Sequence, residues 1–277
     1  MTLDPRTTPA RPDLAAKHLE GKVEAARFAQ GEAYEVIDAQ APMRRQPAPD
    51  APLDTEALLG ERVTIYEFNE EGWAWGQLAA DGYVGWLPAS ALLKPRAAPT
   101  HKVTALRTLA FPGSSIKAPP VAAPPLGSRL SVRRQQDRFA VADIGFLPAG
   151  HLAPLDHAET DFVAVAERFL GTPYLWGGKT NYGLDCSGLV QVALNACGVS
   201  CPRDSDMQQG ALGTPVDPAH LRRGDLVFWK GHVAIVRDET SFVHANGFHM
   251  QVAIEPIAEA IARIAAAGSQ VTSARRL

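Results

Sequence analysis

Apolar residues recur in two rhythms along this chain, and the rhythm changes near residue 155. Before that point, short β-rich runs such as 62–68 and 129–133 alternate with turns that hold most of the 22 prolines. Short strands between turn residues are typical of small barrels and sandwiches. Beyond that point, apolar residues recur at helical spacing and then in β-rich runs. The pattern predicts an all-β first part and an α+β second part.

The second part begins and ends with segments of helical spacing. We predict one helix over 161–170, a second from Cys186 to a stop at Gly198, and a closing helix over 257–267. Between the last two helices, β-rich runs predict strands at 226–229, 232–236 and 242–244.

An internal repeat lies within the first part. The repeated motifs are GWLPASAL at 85–92 and GFLPAGHL at 145–152, preceded by LGERV at 59–63 and LGSRL at 126–130. The second copy is shorter between its two motifs and has no counterpart of Gly82 and Tyr83. Two tandem copies of a small β-module, joined by a linker at 94–100, explain this pattern; the alternative is chance similarity in sequence rich in proline and glycine.

Charge and hydropathy argue against several classes of function. The net charge is −3 and no run of basic residues exceeds two, so we expect no surface for nucleic acid or anionic lipid. No stretch reaches the roughly 18 apolar residues that a membrane span needs. The first twenty residues contain charges and prolines in place of the apolar centre of a secretory signal, which predicts a cytoplasmic protein.

The three cysteines are Cys186, Cys197 and Cys201. A sparse, odd number favours reduced thiols over a disulfide framework. Cys197 and Cys201 are spaced like half of a metal site, but no second pair of Cys or His follows at ligand spacing. We therefore expect neither a metal nor an organic cofactor.

Cys186 is the candidate nucleophile. It follows a loop and begins a helix, where the positive end of the helix dipole favours the thiolate. His232 begins a predicted strand and is the candidate base. A hairpin centred near residue 238 would make His244 its cross-strand neighbour and orienting partner, and a pairing register shifted by one residue would place 232 opposite 245. The alternative is a small core cysteine with two structural histidines.

Three segments resemble the NlpC-type cysteine peptidases, bacterial enzymes of cell-wall peptides with a papain-like core. The segments are PYLWGGKTNYGLDCSGLVQ, RGDLVFWKGHVAIV and FVHAN, in that order, and the resemblance covers 161–277. The repeated β-modules resemble the bacterial SH3-like domains that often precede such a peptidase. The resemblance predicts an N-terminal extension over 1–20, SH3-like domains over 21–96 and 97–156, and a peptidase domain over 157–277.

The resemblance also implies catalytic roles. It makes Cys186 the nucleophile, His232 the general base and His244 the residue that orients the base. Tyr174 would lie beside the sulfur and stabilise the oxyanion together with the backbone N–H of Cys186; a core aromatic residue is the alternative. Asp225 is a second candidate for the third catalytic group, although resemblance and spacing favour a turn residue.

Substrate-binding residues are implied as well. Asp185 and Ser187 would contact the N-terminal L-Ala of the substrate, while Asp185 also suits a helix cap. Tyr83 of the first SH3-like domain would close the far end of the pocket, with Glu56, or alternatively Glu61, beside the ammonium group. Arg203 and Asp204 would form a structural ion pair or line the groove, and Cys197 and Cys201 have no catalytic counterpart.

The implied reaction is hydrolysis of the bond between γ-D-Glu and a diamino acid. Its substrates would be free murein peptides that begin with L-Ala, in cell-wall peptide recycling. The architecture resembles the γ-D-glutamyl-L-diamino acid endopeptidases. Two other classes stay open, an inert protein that binds wall peptides and a thiol acyltransferase. Nothing in the sequence indicates the preferred diamino acid, the stem length or an oligomeric state.

Overall fold

The computed structural model describes residues 3–277, which divide into two compact units over 3–155 and 156–277. The predicted start of the last domain, residue 157, lies next to this division. The further predicted boundaries at 20 and 96 stay predictions. Within the described part of the chain, no helix is both long and apolar enough to cross a membrane.

The first unit is built from short strands. They are β1 (Ala15–Ala16), β2 (Phe28–Ala29), β3 (Glu32–Val36), β4 (Gln40–Arg44), β5 (Leu53–Leu58), β6 (Arg62–Phe68), β7 (Trp73–Leu78), β8 (Val84–Pro88), β9 (Leu92–Leu93), β10 (His101–Val103), β11 (Arg129–Leu130), β12 (Val132–Gln136), β13 (Phe139–Ala142), β14 (Gly145–Pro148) and β15 (Leu152–Pro154). The largest sheet has the order β5-β4-β8-β7-β6-β3-β9, and two three-stranded sheets, β11-β10-β15 and β12-β13-β14, follow it along the chain.

The sequence repeat is also a structural repeat. In each copy a strand leads into a one-turn 3-10 helix and then a second strand: β8, Ala89–Ala91 and β9 in the first, β14, Ala149–His151 and β15 in the second. Gly60 and Gly127, the glycines of the paired LG motifs, have φ values of +78° and +90°. Residues with a Cβ rarely adopt this conformation, which explains the glycine in both copies.

The two copies differ where the sequence predicts a difference. Residues 79–83 connect β7 to β8 in the first copy, whereas only 143–144 connect β13 to β14 in the second. Each copy has its own apolar cluster. One surrounds Met43 and Leu87, and the other surrounds Leu130 and Leu147.

The second unit combines helices with one large sheet. Its elements are α1 (Phe162–Glu167), β16 (Lys179–Thr180), β17 (Gly183–Leu184), α2 (Cys186–Ala196), α3 (Ser205–Ala211), β18 (Thr214–Val216), β19 (Leu226–Trp229), β20 (His232–Val236), β21 (Ser241–Asn246), β22 (Gln251–Pro256), α4 (Ile257–Ala266) and β23 (Val271–Arg276). The six-stranded sheet has the order β18-β23-β19-β20-β21-β22.

Helices contact this sheet in two places. Helix α2 contacts β20 and β21, and its residues from Cys186 to Leu194 are all buried. Helix α4 packs Ala260 and neighbouring isoleucines against Val236 and Phe242. The three predicted helices and three predicted strands of this unit are confirmed, whereas α3 and the strands β16, β17, β18, β22 and β23 were not predicted.

Candidate active site

Helix α2 presents Cys186 at its first turn because Asp185 caps the helix. The Asp185 Oδ1 atom accepts a hydrogen bond of 2.7 Å from the backbone N–H of Gly188. Asp is among the preferred N-cap residues for this reason. The cap defines where the helix begins and therefore where the thiol lies.

Gly188 of the DCSG motif lets this helix approach the preceding loop. A Cβ at Gly188 would lie 2.2 Å from the carbonyl oxygen of Gly178, and a Cβ at Gly178 would lie 2.4 Å from the carbonyl oxygen of Gly183. Real Cβ atoms do not approach backbone oxygens so closely. Gly178 of the WGG motif and Gly188 of the DCSG motif are therefore required by backbone contact.

Arg203 binds Asp185 on its other side. The guanidinium donates to Asp185 Oδ1 at 2.9 Å and to Oδ2 at 2.7 Å, and it also donates to Ser187 Oγ at 3.0 Å. The Arg203 residue is 1% exposed and Asp185 is 8% exposed, so this is a buried, bidentate ion pair. The structure pairs Arg203 with Asp185, and the predicted pairing of Arg203 with Asp204 stays a prediction. The predicted contacts of Asp185 and Ser187 with substrate stay predictions.

His232 and His244 are in direct contact. The Nε2 atom of His232 lies 3.0 Å from Nδ1 of His244. Strands β20 and β21 pair Ile235 with Val243 and Val236 with Phe242, so the turn is centred at 239 and not at 238. Extending this register places residue 232 opposite 246. The predicted register is therefore wrong, but the two histidines still share one face because the positions differ by an even number.

The thiol lies beside the backbone that flanks His232. Cys186 Sγ is 4.0 Å from the carbonyl oxygen of Gly231. The ladder between β20 and β21 begins only at Ile235, so the first residues of β20 are not paired with β21. The Cys186 thiol thus lies beside the start of β20, the strand that carries His232.

Burial governs the charges of these groups. Burial, and then the negative charge of Asp185, raises the pKa of Cys186 to about 12. Burial, and then the charge of His244, lowers the pKa of His232 to about 3. Burial outweighs the opposing Glu255 and lowers the pKa of His244 to about 4. The resting site therefore holds a neutral thiol and neutral imidazoles, because desolvation exceeds the effect of the helix dipole that favoured a thiolate.

Tyr174 is half-buried and close enough to interact with Cys186. Burial, followed by the charges of Cys186 and Asp185, raises the pKa of its hydroxyl. The phenol therefore stays protonated at neutral pH and can donate a hydrogen bond. Its backbone is held by a bond of 2.9 Å from its N–H to the carbonyl oxygen of Met250.

A carboxylate that the sequence reasoning missed contacts the histidine pair. Glu255 Oε2 lies 3.0 Å from His244 Nε2, and Glu255 also receives two hydrogen bonds from Arg263, at 2.8 and 2.7 Å. The signal available in the sequence was a glutamate that directly follows the apolar run VAI.

Asp225, the other candidate for the third catalytic group, instead binds Arg276 at 2.8 and 2.7 Å and the backbone N–H of Arg222.

The remaining predicted residues belong to the first unit. Tyr83 is 4% exposed and packs in the apolar cluster around Met43. Glu56 and Glu61 are buried on or near β5, and Glu61 accepts a hydrogen bond of 3.1 Å from the backbone N–H of Leu58. Their predicted contacts with substrate stay predictions.

The site is suited to thiol chemistry. A buried nucleophile, an imidazole pair and a protonated phenol are the groups that acyl transfer to sulfur requires. Among residues 3–277, no three His, Cys, Asp or Glu side chains are grouped as a metal site would need.

Comparison with known proteins finds one family match within each of the two units. Residues 43–92 match the bacterial dipeptidyl-peptidase SH3 domain, and residues 171–268 match the NlpC/P60 family. The chain is similar to the NlpC/P60 family protein of Bacillus cereus, with 21% identity and a TM-score of 0.74 over 88% of this chain and 99% of that structure. This likeness confirms the predicted fold class, a papain-like α+β domain after a β-rich SH3-like region.

Two curated relatives are enzymes by name. The chain is 28% identical to the gamma-D-glutamyl-L-lysine dipeptidyl-peptidase of Bacillus cereus over 74% of this chain and 71% of that protein. It is 35% identical to dipeptidyl-peptidase 6 of Lysinibacillus sphaericus over 39% of this chain and 43% of that protein. The chain therefore spans less than half of the second relative.

Proposed function

We propose that the chain hydrolyses free murein peptides that begin with L-Ala, because residues 171–268 match the NlpC/P60 family. The bond cut is the amide between γ-D-Glu and the following diamino acid. The observation that carries this proposal is the contact of 3.0 Å between His232 and His244, with the Cys186 thiol 4.0 Å from the carbonyl oxygen of Gly231, the residue before His232. The names of the relatives supply the substrate class.

Acylation begins with neutral groups. His232 takes the proton of the Cys186 thiol as sulfur attacks the γ-carbonyl carbon of D-Glu. The Tyr174 hydroxyl and the backbone N–H of Cys186 donate to the oxyanion that forms. The C–N bond then breaks, the diamino acid leaves with the proton from His232, and a thioester to Cys186 remains.

Deacylation repeats these roles with water. His232 takes a proton from water as the water oxygen attacks the thioester carbonyl. The C–S bond breaks, the proton returns to sulfur, and the dipeptide L-Ala-γ-D-Glu leaves with a free carboxylate. No other reactant is consumed.

The free amino terminus of L-Ala gives the substrate a cation. In this proposal Asp185 and Ser187 receive it, assisted by Tyr83 and by Glu56 or Glu61 of the first unit. The chemistry supports this role because carboxylates bind ammonium groups by charge-assisted hydrogen bonds. Asp185 already compensates Arg203, so a second carboxylate would supply the charge that matches the ammonium.

The test compares L-Ala-γ-D-Glu-meso-diaminopimelate with its N-acetylated counterpart. We expect cleavage of the free peptide, release of the dipeptide and the free diamino acid by mass spectrometry, and little cleavage of the acetylated peptide. Cys186→Ala should abolish turnover, whereas Cys197→Ala, the matched control at the C-cap of the same helix, should retain it.

Each other outcome rejects part of the proposal. Equal cleavage of both peptides would reject recognition of the amino terminus. Formation of a new conjugate with an amine or lipid acceptor would favour the thiol acyltransferase. Tight binding without cleavage would favour the inert wall-peptide binding protein, which the presence of Cys186, His232 and His244 argues against.

We also propose a role in the recycling of murein peptides. An enzyme with this role must cleave small free peptides in preference to the peptides of the intact wall. Location in the cytoplasm stays a prediction, which fractionation of cells that express the tagged chain would measure.

A further inference from the structure

Two charged residues extend the line of catalytic groups beyond His244. His244 Nε2 is 3.0 Å from Glu255 Oε2, and Arg263 of α4 binds both oxygens of Glu255. His244 and Glu255 are 1% and 5% exposed. Their hydrogen bonds are therefore shielded from water, and each has a defined donor and acceptor.

We propose that Glu255, held by Arg263, is a positioning residue that sets the tautomers of both histidines and so selects the basic nitrogen of His232. This inference rests on the proposed function in one respect, that His232 is the base for Cys186. Glu255 itself touches neither the thiol nor the substrate in this proposal and acts through His244.

The direction of the hydrogen bonds follows from the chemistry of a carboxylate. An ionised carboxylate only accepts hydrogen bonds, so His244 must carry its proton on Nε2 and leave Nδ1 as an acceptor. His232 Nε2, 3.0 Å from that Nδ1, must then donate. The other nitrogen of His232, Nδ1, is left without a proton and is free to accept the proton of the thiol.

Arg263 maintains the direction of the hydrogen bonds from His232 to His244 and from His244 to Glu255. Burial favours a protonated carboxyl, but the hydrogen bonds and charge of Arg263, with those of His244, outweigh it and hold the pKa of Glu255 below its usual range. A protonated carboxyl could instead donate to His244 and reverse both rings. The guanidinium is itself held over the ring of Phe248, at 4.4 Å from the ring centre.

The negative charge of Glu255 has a second effect during the reaction. When His232 accepts the thiol proton, the positive ring is separated from Glu255 only by His244. The charged and titratable groups around this line are Arg263 from α4, His249 from the loop before β22, and the two histidines. Glu255 is the anion among these groups and stabilises the charge that forms.

The direct test is nitrogen NMR of the full chain labelled with 15N-histidine, at pH 7 and without substrate. In the wild type we expect His232 and His244 to be protonated on Nε2. Glu255→Gln places a group that both donates and accepts beside His244, so each ring should become a mixture of tautomers. Arg263→Lys weakens the same ion pair but keeps the carboxylate, and both rings should stay protonated on Nε2.

Kinetics provide a second readout. For Glu255→Gln we expect kcat to fall by about 10- to 100-fold with KM within about twofold, since the base is misoriented while binding is intact. The rate of Cys186 alkylation by iodoacetamide, followed by peptide mass spectrometry, should fall with kcat. For Arg263→Lys we expect kcat within about threefold of the wild type.

A matched control separates this role from loss of a buried ion pair. Asp225, the residue before β19, and Arg276 of β23 form a pair with the same two distances, 2.8 and 2.7 Å, and the one histidine contact of this pair is to the backbone carbonyl of His220. Asp225→Asn should lower stability but leave the tautomers and the alkylation rate unchanged. If Glu255→Gln does not fold, the double variant Glu255→Met/Arg263→Met removes both buried charges and is measured in the same way.

Specific outcomes would overturn the inference. They are unchanged tautomers in Glu255→Gln, or a fall in kcat and alkylation rate no larger than that of Asp225→Asn. Failure of the wild type to cleave murein peptides, together with the expected tautomers and alkylation rates, would reject the proposed function and leave this inference standing.

Discussion

The protonation states of single side chains in this site depend on burial first and on neighbouring charges second. The Asp185 carboxylate caps α2 and pairs with Arg203, and together with burial it raises the pKa of the adjacent Cys186. The same desolvation holds His232 neutral. Proton transfer from thiol to imidazole therefore takes place during the reaction and is not completed at rest.

The pH dependence of kcat/KM tests this arrangement. Burial lowers the pKa values of the histidine pair below the ordinary value of 6.5, so the rings stay unprotonated, and active, as pH falls through 6.5. We expect kcat/KM for the free tripeptide to stay level from pH 8 to about pH 5 and to fall only at lower pH. An acid limb at 6.5 or above, with circular dichroism showing a folded chain, would contradict this.

Helix α2 and the loop before it form one rigid element because their backbones touch. The carbonyl oxygen of Gly178 occupies the place where a side chain of residue 188 would begin. The N-terminus of α2 therefore has a defined position relative to the loop that carries Tyr174. Overpacking at such a contact forces the backbone to move.

Gly188→Ala tests this contact, because it places a Cβ where the carbonyl oxygen of Gly178 lies. We expect a loss of roughly 1–3 kcal/mol in the free energy of unfolding, together with reduced turnover because the thiol shifts. Gly210→Ala in α3 is the matched control, since a Cβ there has nothing within 4 Å and alanine favours a helix. Urea unfolding of both variants measures the difference, and equal effects would show that the contact is not tight.

The whole molecule joins a thiol peptidase domain to a β-rich region with two related modules. All the residues with geometry suited to acyl transfer lie in the second unit, while Tyr83 and Glu56 lie in the first. The role predicted for these two residues is selection of substrate. Such a role is separable from the chemical step, because it changes binding and leaves the thiol unaffected.

Tyr83→Phe tests this division of roles. Phenylalanine keeps the ring in its apolar cluster and removes only the hydroxyl, so we expect a folded protein with a raised KM for the free tripeptide and an unchanged rate of Cys186 alkylation. Tyr66→Phe, in β6 of the same unit, is the control. An unchanged KM would remove Tyr83 from the proposed site.

Turnover of polymeric peptidoglycan tests the recycling role of the complete chain. We expect release of diamino acid from intact wall to be much slower than from the free tripeptide, because wall peptides are attached through the group that is a free amine in the tripeptide. Comparable rates would contradict that role.

The sequence by itself determined the main helices and strands and predicted Cys186 as the nucleophile. Helical spacing, glycine stops and the repeated motifs are local signals, so they predicted α1, α2, α4, the tandem β-modules and Cys186 at a helix start. Only the tertiary structure decided which distant groups meet. The register of β20 on β21, the strand β23 inserted between β18 and β19, and the contacts of Asp185 with Arg203 and of Glu255 with His244 depend on pairing between segments remote in sequence. Burial, which sets the charges of the site, follows from that same packing and cannot be computed from spacing along the chain.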